Sequence, residues 1–562
     1  MYGIRRLVTR LSLLALISAS QCTALCSASD ESEFPTVALD NGTFVGVTEG
    51  PISIFRGIPF AQPPIGDLRL RLPVANDPYN GTYDATAFGA SCIQQLSSDK
   101  NLTGLNPVAA TILEGFLSDS NITDSEDCLT INVYTPANAT ENSQLPVVFW
   151  IYGGGFEDGQ TASFNGSVIV ERALQLELPV VYVSVNYRLS ALGFPGGREA
   201  RDAGVENLGL QDQRLGMRWV QKHISAFGGD PSKVIIWGES AGAISVALHM
   251  LTNNGDNEGL FRGAFMQSGS PTWTGTMPED DGQSNFDQFA SDAGCGSYLG
   301  NVTVLDCLRN VSTVDLRAAI QASADIFDYS SLNLAWMPRV GGTFVPDIPT
   351  RLVLNGSVAD VPFVTGDCDD EGTLFSLSNS NITTEEELRQ YLPRFFPFPT
   401  NFTDIDDVLA AYPEDPELGS PFETGLENAV TPQFKRISAI LGDLIFQAPR
   451  RLFLSERSEN NTAFAFLSKR LTSNPVPTLG AYHSTDLQNV YGPGDLTDAL
   501  INFATNLDPN GPTLIDWPAY TADSPMLLAL LDGKVTQELV NDTFREEGML
   551  VINRIVLTNS ML

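Results

Sequence analysis

The sequence predicts one large α/β domain built on a mostly parallel β-sheet with helices on both faces. Three apolar runs have the pattern of strands that are covered on both sides: LPVVFWIY at 145–152, LPVVYVSVNY at 178–187 and KVIIWG at 233–238. Between the last two, apolar residues recur at helical spacing over 207–224. Such alternation of strand and helix is typical of a parallel sheet. Because no linker or internal repeat interrupts the chain, we expect a single domain at 29–562.

Further elements continue this pattern toward the C-terminus. AGAISVALHML at 241–251 predicts a helix directly after the third strand. VADVPFVTG at 358–366 and AFAFLSKRL at 463–471 predict later strands of the same sheet. These elements together account for the 562 residues better than several small domains would.

The composition is that of a folded and strongly acidic protein. Apolar residues make up 43% of the chain and charged residues 18%, with a mean hydropathy of −0.01. The 32 basic residues face 67 acidic ones, which gives a net charge of −35 and an isoelectric point near 4.3. Such a surface repels phosphate backbones and anionic headgroups, so nucleic acids and polybasic membrane docking are excluded as partners.

Residues 1–28 have the pattern of a secretory signal peptide. MYGIRRLVTR carries three arginines and no acidic residue, and the short apolar run LSLLALISAS follows it. That run is too short to span a bilayer, which takes about 20 apolar residues. Removal of the segment would change the net charge from −35 to −38, because it takes three arginines away. We expect a secreted, extracellular protein without an integral membrane anchor.

Glycosylation sequons and cysteines fit an exported chain. Several of the Asn-x-Ser/Thr sequons are expected to carry glycans. The sequon asparagines are Asn41, Asn80, Asn101, Asn121, Asn138, Asn165, Asn301, Asn310, Asn355, Asn381, Asn401, Asn460 and Asn541. Five cysteines remain beyond the signal peptide, so one thiol stays free, and the close spacing of Cys295 and Cys307 suggests a disulfide across a short loop.

The pentapeptide Gly-Glu-Ser-Ala-Gly at 238–242 has the form of a nucleophile elbow. It lies between a predicted strand and a predicted helix, where a sharp turn would expose the hydroxyl of Ser240 at a helix N-terminus. Outside this context the pattern is weak, and the alternative is an ordinary tight turn. The glycine triplet in WIYGGGF at 150–156 follows another strand and, with the N–H of Ala241, predicts an oxyanion hole.

A serine nucleophile needs a base and an acid. Of three histidines, His223 and His249 lie inside predicted helices and are interpreted as structural, whereas His483 lies in the polar loop GAYHSTDL. The acid should fall between Ser240 and His483 at the end of a strand. TGDCDDEGT at 365–373 fits and offers four candidates, which spacing alone does not separate: Asp367, Asp369, Asp370 and Glu371.

Several motifs together resemble the type-B carboxylesterase/lipase family, and in particular its fungal lipases and sterol esterases. They are GGGF, EDCLTINVYTP (126–136), NLGLQDQR (207–214), GGDPSKVIIWGESAG (228–242), FMQSGSP (265–271), DEGT and GAYHSTDL. The resemblance extends from about residue 36 to beyond 520. It implies the α/β-hydrolase fold and the hydrolysis of carboxylic esters.

The resemblance also implies a role for individual residues. Ser240 corresponds to the nucleophile, His483 to the base and Glu371, directly before glycine in the DEG segment, to the acid. Gly154, Gly155 and Ala241 would supply the oxyanion N–H groups. The disulfides would be Cys92–Cys128 and Cys295–Cys307, which leaves Cys368 free. No metal or other cofactor is implied.

The loop between Cys92 and Cys128 separates the substrate hypotheses. It contains the apolar segment NPVAATILEGFL at 106–117, which the resemblance identifies with a mobile lid over the active site; the alternative is an ordinary surface helix. With a lid, we expect a lipase or sterol esterase for long or bulky apolar acyl esters, acting at a lipid–water interface. The alternatives are a carboxylesterase for smaller or aromatic esters, feruloyl esters included, and a non-catalytic adhesion or binding protein.

Overall fold

The computed structural model describes most of the chain after the predicted signal peptide. The described residues are 34–96, 102–117, 123–271, 282–342, 344–396, 400–471 and 476–560. The signal peptide at 1–28 and two of the sequon asparagines, Asn101 and Asn121, lie outside them. Residues from Pro35 onward form one compact unit.

The strands of the described residues form a large sheet and two small ones. Their bounds are β1 Thr36–Leu39, β2 Asn41–Val45, β3 Val47–Glu49, β4 Ile52–Pro59, β5 Asn80–Asp84, β6 Ser91–Cys92, β7 Asp124–Ser125, β8 Thr130–Pro136, β9 Leu145–Ile151, β10 Val181–Val185, β11 Gly229–Glu239, β12 Gly263–Gln267, β13 Phe363–Cys368, β14 Ala463–Ser468, β15 Met526–Leu530 and β16 Gln537–Asn541. Within the described chain the large sheet has eleven strands in the order β16-β15-β14-β13-β12-β11-β9-β10-β8-β4-β3.

The centre of the large sheet is parallel, as the sequence predicts. Strands β15 to β11, then β9 and β10, run in one direction, and antiparallel strands flank them on both sides. Every residue of β10, β12, β13 and β14 is buried, so helices and loops cover both faces. The carboxyl ends of β9, β11 and β13 therefore meet at one edge, where ligand sites of open α/β sheets are found.

Helices connect these strands, as expected for parallel neighbours. Their bounds are α1 Pro107–Glu114, α2 Gly166–Gln175, α3 Ser190–Gly193, α4 Gly197–Asp202, α5 Leu208–His223, α6 Ala241–Leu251, α7 Gln283–Asp292, α8 Thr303–Asn310, α9 Thr313–Gln321, α10 Pro349–Leu354, α11 Thr373–Ser376, α12 Glu385–Tyr391, α13 Phe402–Ala411, α14 Phe434–Gly442, α15 Ala448–Arg457, α16 Leu487–Tyr491, α17 Asp495–Asn506 and α18 Glu546–Ser560. A π-helical turn, Asp443–Gln447, joins α14 to α15.

One strand differs from its predicted bounds in a way that matters for the site. The sequence predicts a strand at 358–366, whereas β13 begins at Phe363 and ends at Cys368. Its start is delayed because Pro362 has no N–H to give a neighbouring strand, so the preceding residues only lead into the sheet. At its other end the strand continues through Asp367 to Cys368, beyond the predicted end at 366. Asp367 is therefore a strand residue, and only the acids after Cys368 belong to the loop.

The described residues contain two disulfides, Cys92–Cys128 and Cys295–Cys307, and a buried free thiol, Cys368. The first disulfide joins the ends of the loop that carries α1, and the second closes a short loop between α7 and α8. Cross-links of this kind restrict the unfolded chain and typically stabilise a secreted protein by about 2–4 kcal/mol each.

Candidate active site

Ser240 occupies a strained turn between β11 and α6. Its backbone has φ 55° and ψ −126°, a conformation that non-glycine residues rarely adopt. The turn is tight because glycines flank it: a Cβ at Gly238 would lie 2.4 Å from the backbone of Gly242, and one at Gly242 would lie 2.0 Å from the carbonyl oxygen of Ile151. The side chain of Ser240 is thereby held at the end of the sheet, at the first turn of α6.

His483 lies in the loop before α16 and reaches Ser240 across the fold. Its Nε2 is 2.8 Å from Oγ of Ser240, although 243 residues separate the two. The imidazole is 5% exposed, so little water reaches it. The other two histidines are elsewhere: His249 is buried in α6 with Nε2 2.9 Å from the side chain of Gln213, and His223 ends α5. Among the described residues, neither of these two histidines is hydrogen-bonded to Ser240.

Glu371 is the acidic residue that contacts the imidazole. Its Oε2 lies 2.5 Å from Nδ1 of His483. The other carboxylate oxygen, Oε1, accepts hydrogen bonds from the hydroxyl of Ser268 and the N–H of Cys368, both at 2.6 Å. Hydrogen bonds of this kind fix the direction of the carboxylate.

The three neighbouring acids have other partners. Asp367 forms a buried ion pair with Arg450 at 2.7 Å. Asp369 faces the ammonium group of Lys469 at 3.4 Å. Asp370 accepts hydrogen bonds from a serine hydroxyl and two backbone N–H groups at 2.7–2.9 Å. The geometry thus separates four carboxylates that sequence spacing leaves equivalent.

The glycine loop after β9 lies beside Ser240. Gly154 and Gly155 have positive φ of 99° and 62°, and a Cβ at Gly154 would lie 2.2 Å from the side chain of Asp158. Only glycine fits such a backbone without strain. Gly155 lines the same pocket as Ser240 and Ala241. Backbone N–H groups at these positions are suited to stabilising an oxyanion that forms at an ester carbonyl.

An apolar pocket opens at Ser240. In the part of the chain that the structure describes, Ser240 is the only lining residue whose side chain carries an oxygen or nitrogen atom. The lining residues are Gly155, Phe156, Ser240, Ala241, Ile244, Ile326, Leu332, Leu334, Met337, Pro338, Ile445 and Phe446. Such a wall can bind a hydrocarbon chain, and apart from Ser240 its side chains offer no hydrogen bond to a polar group.

Two further buried carboxylates face His483, and sequence reasoning missed both. Glu239, directly before Ser240, lies 3.5 Å from Nε2 of His483 and accepts a hydrogen bond from the hydroxyl of Ser484. Asp486 accepts a hydrogen bond from the amide of Gln267 at 2.7 Å. Burial raises the pKa of Glu239 to about 7 and that of Asp486 to about 6. The only sequence signal for Glu239 is its place within the elbow itself.

These charges set the basicity of the imidazole. Burial alone would lower the pKa of His483, but the attraction of Glu371, strengthened by Glu239 and Asp486, outweighs it and raises the pKa to about 9. The site therefore favours a proton on the imidazole, which is the charge state that a general base reaches during catalysis.

The apolar segment 106–117 forms α1, packed beside the loop of His483. Asn106 caps the helix by accepting a hydrogen bond from the N–H of Val108. Leu113 is fully buried, and the ring of Phe116 packs edge-on against Tyr482, the residue before His483, with 5.5 Å between centroids. The opposite side of the helix is exposed, with Val108 at 53%. The helix is amphipathic and rests on the active-site loop.

No helix among the described residues is long and apolar enough to cross a membrane. Within the same residues, no group of three or more His, Cys, Asp or Glu side chains is arranged to hold a metal ion.

The chain is similar to known proteins over most of its length. A model described as "Carboxylesterase family" matches residues 33–546. Lipase 4 of Diutina rugosa is 42% identical over 506 residues, which cover 87% of this chain and 90% of the lipase. The secreted triacylglycerol lipase LIP1 of Gibberella zeae is 38% identical over 532 residues, or 91% of this chain and 89% of the relative.

Solved structures agree with these sequence relatives. The crystal structure of Aspergillus niger EstA superposes with a TM-score of 0.79 at 27% identity, covering 94% of this chain and 99% of EstA. A PNB esterase gives a TM-score of 0.72 at 26% identity, covering 92% and 99%. The fold described above thus has counterparts of known structure over nearly the whole chain.

Proposed function

The chain belongs to the carboxylesterase family and is a carboxylic ester hydrolase, and we propose that it is a secreted lipase that cleaves esters of apolar acyl chains through an acyl-enzyme on Ser240. The observation that carries this proposal is the hydrogen-bonded row Ser240–His483–Glu371 at the mouth of an apolar pocket. A nucleophile, a base and an orienting acid in this order are the groups that ester hydrolysis by acyl transfer needs.

The proposed reaction has two halves. As Oγ of Ser240 attacks the ester carbonyl, its proton passes to Nε2 of His483, and the carbonyl oxygen becomes an oxyanion that the N–H groups of Gly154, Gly155 and Ala241 stabilise. The carbon–oxygen bond to the alcohol then breaks, and the alcohol leaves with the proton from the imidazolium. A water molecule repeats the sequence on the acyl-enzyme, releasing the carboxylic acid and restoring Ser240.

Glu371 orients the base throughout this cycle. Its carboxylate receives the N–H of Nδ1, which leaves Nε2 free to accept the serine proton, and its negative charge stabilises the imidazolium. The hydrogen bonds from Ser268 and Cys368 to the other oxygen keep the carboxylate in place while the proton moves.

The pocket supports an aliphatic acyl group over an aromatic one. A feruloyl ester carries a phenolic hydroxyl that needs a hydrogen-bond partner when buried, and among the described residues no lining side chain other than that of Ser240 offers one. Branched and linear aliphatic side chains such as Ile244, Leu334 and Met337 match a hydrocarbon chain instead. A purely binding or adhesion role is disfavoured, because nucleophile, base and acid are all present and in contact.

We propose that α1 and its flanking residues form a lid. Leu113 of α1 and Phe116, two residues after the helix ends, pack in the apolar cluster that includes Tyr482 of the active-site loop, and an oil–water interface would offer these side chains an alternative partner. The Cys92–Cys128 disulfide would anchor the two ends so that the segment moves as one flap. The expected partner is therefore an apolar ester at a lipid surface.

Export completes the proposal. Cleavage after the signal peptide at 1–28 would release 29–562 as a single-domain extracellular glycoprotein that needs no cofactor. Sequon asparagines such as Asn80, Asn165 and Asn355 have exposed side chains that could carry glycans.

A substrate series tests the assignment. Initial rates are measured on triacylglycerols with acyl chains of increasing length, on a cholesteryl ester and on methyl ferulate, with Ser240→Ala as the blank. We expect kcat/KM to rise with acyl length and to be lowest for the ferulate. A ferulate preferred over every aliphatic ester, or activity on acetate esters alone, would contradict a lipase and favour a carboxylesterase for aromatic or small esters.

A further inference from the structure

A wider helical turn delivers three consecutive side chains to the active site. α14 and α15 are continuous in space but are joined by the π-helical turn Asp443–Gln447. Pro449, two residues after this turn, has no N–H, so it cannot give the carbonyl of Ile445 the hydrogen bond of a regular α-helix. Wider turns of this type are rare and are frequently found at functional sites.

Each of the three side chains contacts a different part of the site. Ile445 lines the pocket that opens at Ser240. Phe446 lines the same pocket and also packs against the imidazole of His483, with 4.8 Å between ring centroids. Gln447 donates a hydrogen bond at 2.9 Å to the carbonyl oxygen of Cys368.

The last of these contacts leads to the acid loop. The N–H of Cys368 holds Oε1 of Glu371, and the carbonyl of the same residue is held by Gln447. Gln447 in turn receives a hydrogen bond from Arg450, which is paired with Asp367 on β13. The π-helical turn is therefore tied to the acid as well as to the base.

Phe446 does not cover the imidazole alone. Phe375, on α11, lies 5.1 Å from the same ring, and the two phenyl rings stack on each other at 6.1 Å with an angle of 16°. Both are 2% exposed. Together they form an apolar wall that excludes water from one side of His483 and limits its rotation about the side-chain bonds.

We infer that Phe446 is a positioning residue for His483, and that the π-helical turn 443–447 thereby couples filling of the acyl pocket to the alignment of the catalytic base. An acyl chain bound against Ile445 and Phe446 would press the phenyl ring onto the imidazole. Acyl length should consequently act on kcat and not on KM alone. This inference rests on the proposed function, because it assumes that Ser240 and His483 act as nucleophile and base.

Replacement of Phe446 by alanine should affect a substrate too short to fill the pocket. A void beside the imidazole admits water and frees the ring, and small misplacements of catalytic groups cost about 10- to 100-fold in rate. For 4-nitrophenyl acetate we expect kcat of Phe446→Ala to fall about 10-fold or more, with KM changed much less. For 4-nitrophenyl octanoate, the gain in kcat over acetate should disappear.

The pH profile separates positioning from simple loss of pocket wall. The surroundings of His483 as a whole raise its pKa, because the attraction of the carboxylates outweighs the effect of burial. Water beside the ring in Phe446→Ala weakens both influences, so the pKa should come closer to its ordinary value and the acidic limb of kcat/KM should move to lower pH. The charged groups that face His483 are Glu371 after β13, Glu239 at the end of β11 and Asp486 on the same loop, and the variant leaves all three in place.

Three comparison variants make the test specific. Ile445→Ala removes pocket wall without touching the imidazole, and it should alter KM for the octanoate without shifting the acidic limb. Leu444→Ala loosens the same turn on its other side, where Leu444 packs in a separate apolar cluster, and the limb should again stay in place. Phe446→Leu keeps apolar volume beside the imidazole and should retain part of the kcat that Phe446→Ala loses. It also replaces the alanine variant in the test if Phe446→Ala folds poorly.

The results decide the inference as follows. The inference is supported if Phe446→Ala loses kcat on 4-nitrophenyl acetate and shifts the acidic limb of kcat/KM, and if Leu444→Ala shows neither change. An unshifted limb together with an effect on octanoate KM alone, as in Ile445→Ala, overturns it and leaves Phe446 as pocket wall. Failure of the proposed function would be visible separately, because Ser240→Ala would then retain the activity of the unmodified enzyme.

Discussion

Nδ1 of His483 lies 2.5 Å from Oε2 of Glu371, although the two residues are 112 positions apart in the chain. The contact exists because β13 and β14 are parallel neighbours whose carboxyl ends open on the same edge of the sheet. Glu371 follows the first strand, and His483 lies in a loop beyond the second. The sheet order thus brings the acid and the base together at the elbow of Ser240.

Replacing each acid of the 365–373 segment by its amide should single out Glu371. Glu371→Gln leaves the geometry nearly intact but removes the charge that stabilises the imidazolium. The corresponding acid-to-amide change in a serine protease lowers kcat about 10⁴-fold, and we expect a loss of that order here. Asp369→Asn and Asp370→Asn should cost less than about 10-fold, because their partners lie away from His483. Steady-state kinetics on a soluble ester measures all of them. A severe loss at Asp370 with a mild one at Glu371 would be incompatible with the assignment.

The choice among these acids shows what the sequence could and could not predict. The elbow, the glycine loop and the base followed from residue type and local context, because strand–turn–helix patterns are short-range. Identifying the acid requires knowing where each side chain points after the end of the strand. That direction depends on partners such as Arg450 and Ser268, which lie far away in the chain. Only the resemblance to known enzymes separated Glu371 from its neighbours before the structure did.

Glu239→Gln should shift the pH dependence of the reaction. A negative charge near Nε2 favours the imidazolium and so raises the pKa of His483; its removal should lower that pKa. Because the base acts in its neutral form, the acidic limb of kcat/KM should move to lower pH. Glutamine can still accept the hydrogen bond from Ser484, so the loop stays tethered. Ser484→Ala is the matched control, since it removes the tether and keeps the charge.

An unchanged limb in Glu239→Gln, or the same shift in Ser484→Ala, would argue against a direct electrostatic effect of Glu239. The residue would then serve only to hold the loop of His483 against β11.

The apolar side chains of the α1 segment should control the access of substrate to Ser240. Ile112→Ser and Phe116→Ser weaken the contact with the active-site loop and remove apolar surface that could meet an oil droplet. The enzyme should show a jump in rate when tributyrin exceeds its solubility, and the double variant should show a smaller jump. Val108→Ser, on the exposed side, tests whether any polar substitution has this effect. Smooth saturation through the solubility limit in the unmodified enzyme would indicate a static helix.

Asp542 should be a stability residue beneath the site. It bridges Arg450 and Arg451, and although burial alone would raise its pKa, the two guanidinium groups lower it to about 2. A carboxyl whose pKa falls on folding adds stability above its unfolded pKa, here about 2 kcal/mol, which is lost as pH falls from about 4 through about 2.

Asp542→Asn should therefore lower the melting temperature at neutral pH. It removes one of the two carboxylates paired with the buried Arg450 and the carboxylate paired with Arg451, and breaking a buried ion pair typically costs about 3–5 kcal/mol. The exposed pair of Asp407 and Arg554 provides the control, and Asp407→Asn should change the free energy of unfolding by less than about 1 kcal/mol. Equal melting temperatures for the two variants at pH 7 would mean that the buried pair adds no net stability.

Element positions were predicted more fully than the interior chemistry of the site. The apolar runs at 145–152 and 233–238 correspond to β9 and β11, since buried parallel strands have continuous apolar sequence. The π-helical turn and the carboxylates of Glu239 and Asp486 were missed, because a wider turn has no distinct periodicity and a buried acid resembles a surface acid in sequence. Both depend on tertiary contacts.

The most direct test of the account is covalent labelling of Ser240. The enzyme is incubated with a 4-nitrophenyl alkylphosphonate, digested and analysed by mass spectrometry, alongside Ser240→Ala. The account predicts one phosphonyl group per chain, on the peptide that contains Ser240, with complete loss of esterase activity. It also predicts no label and a loss of activity of about 10⁶-fold in Ser240→Ala. A label on another residue, or near-normal hydrolysis by Ser240→Ala, would contradict it.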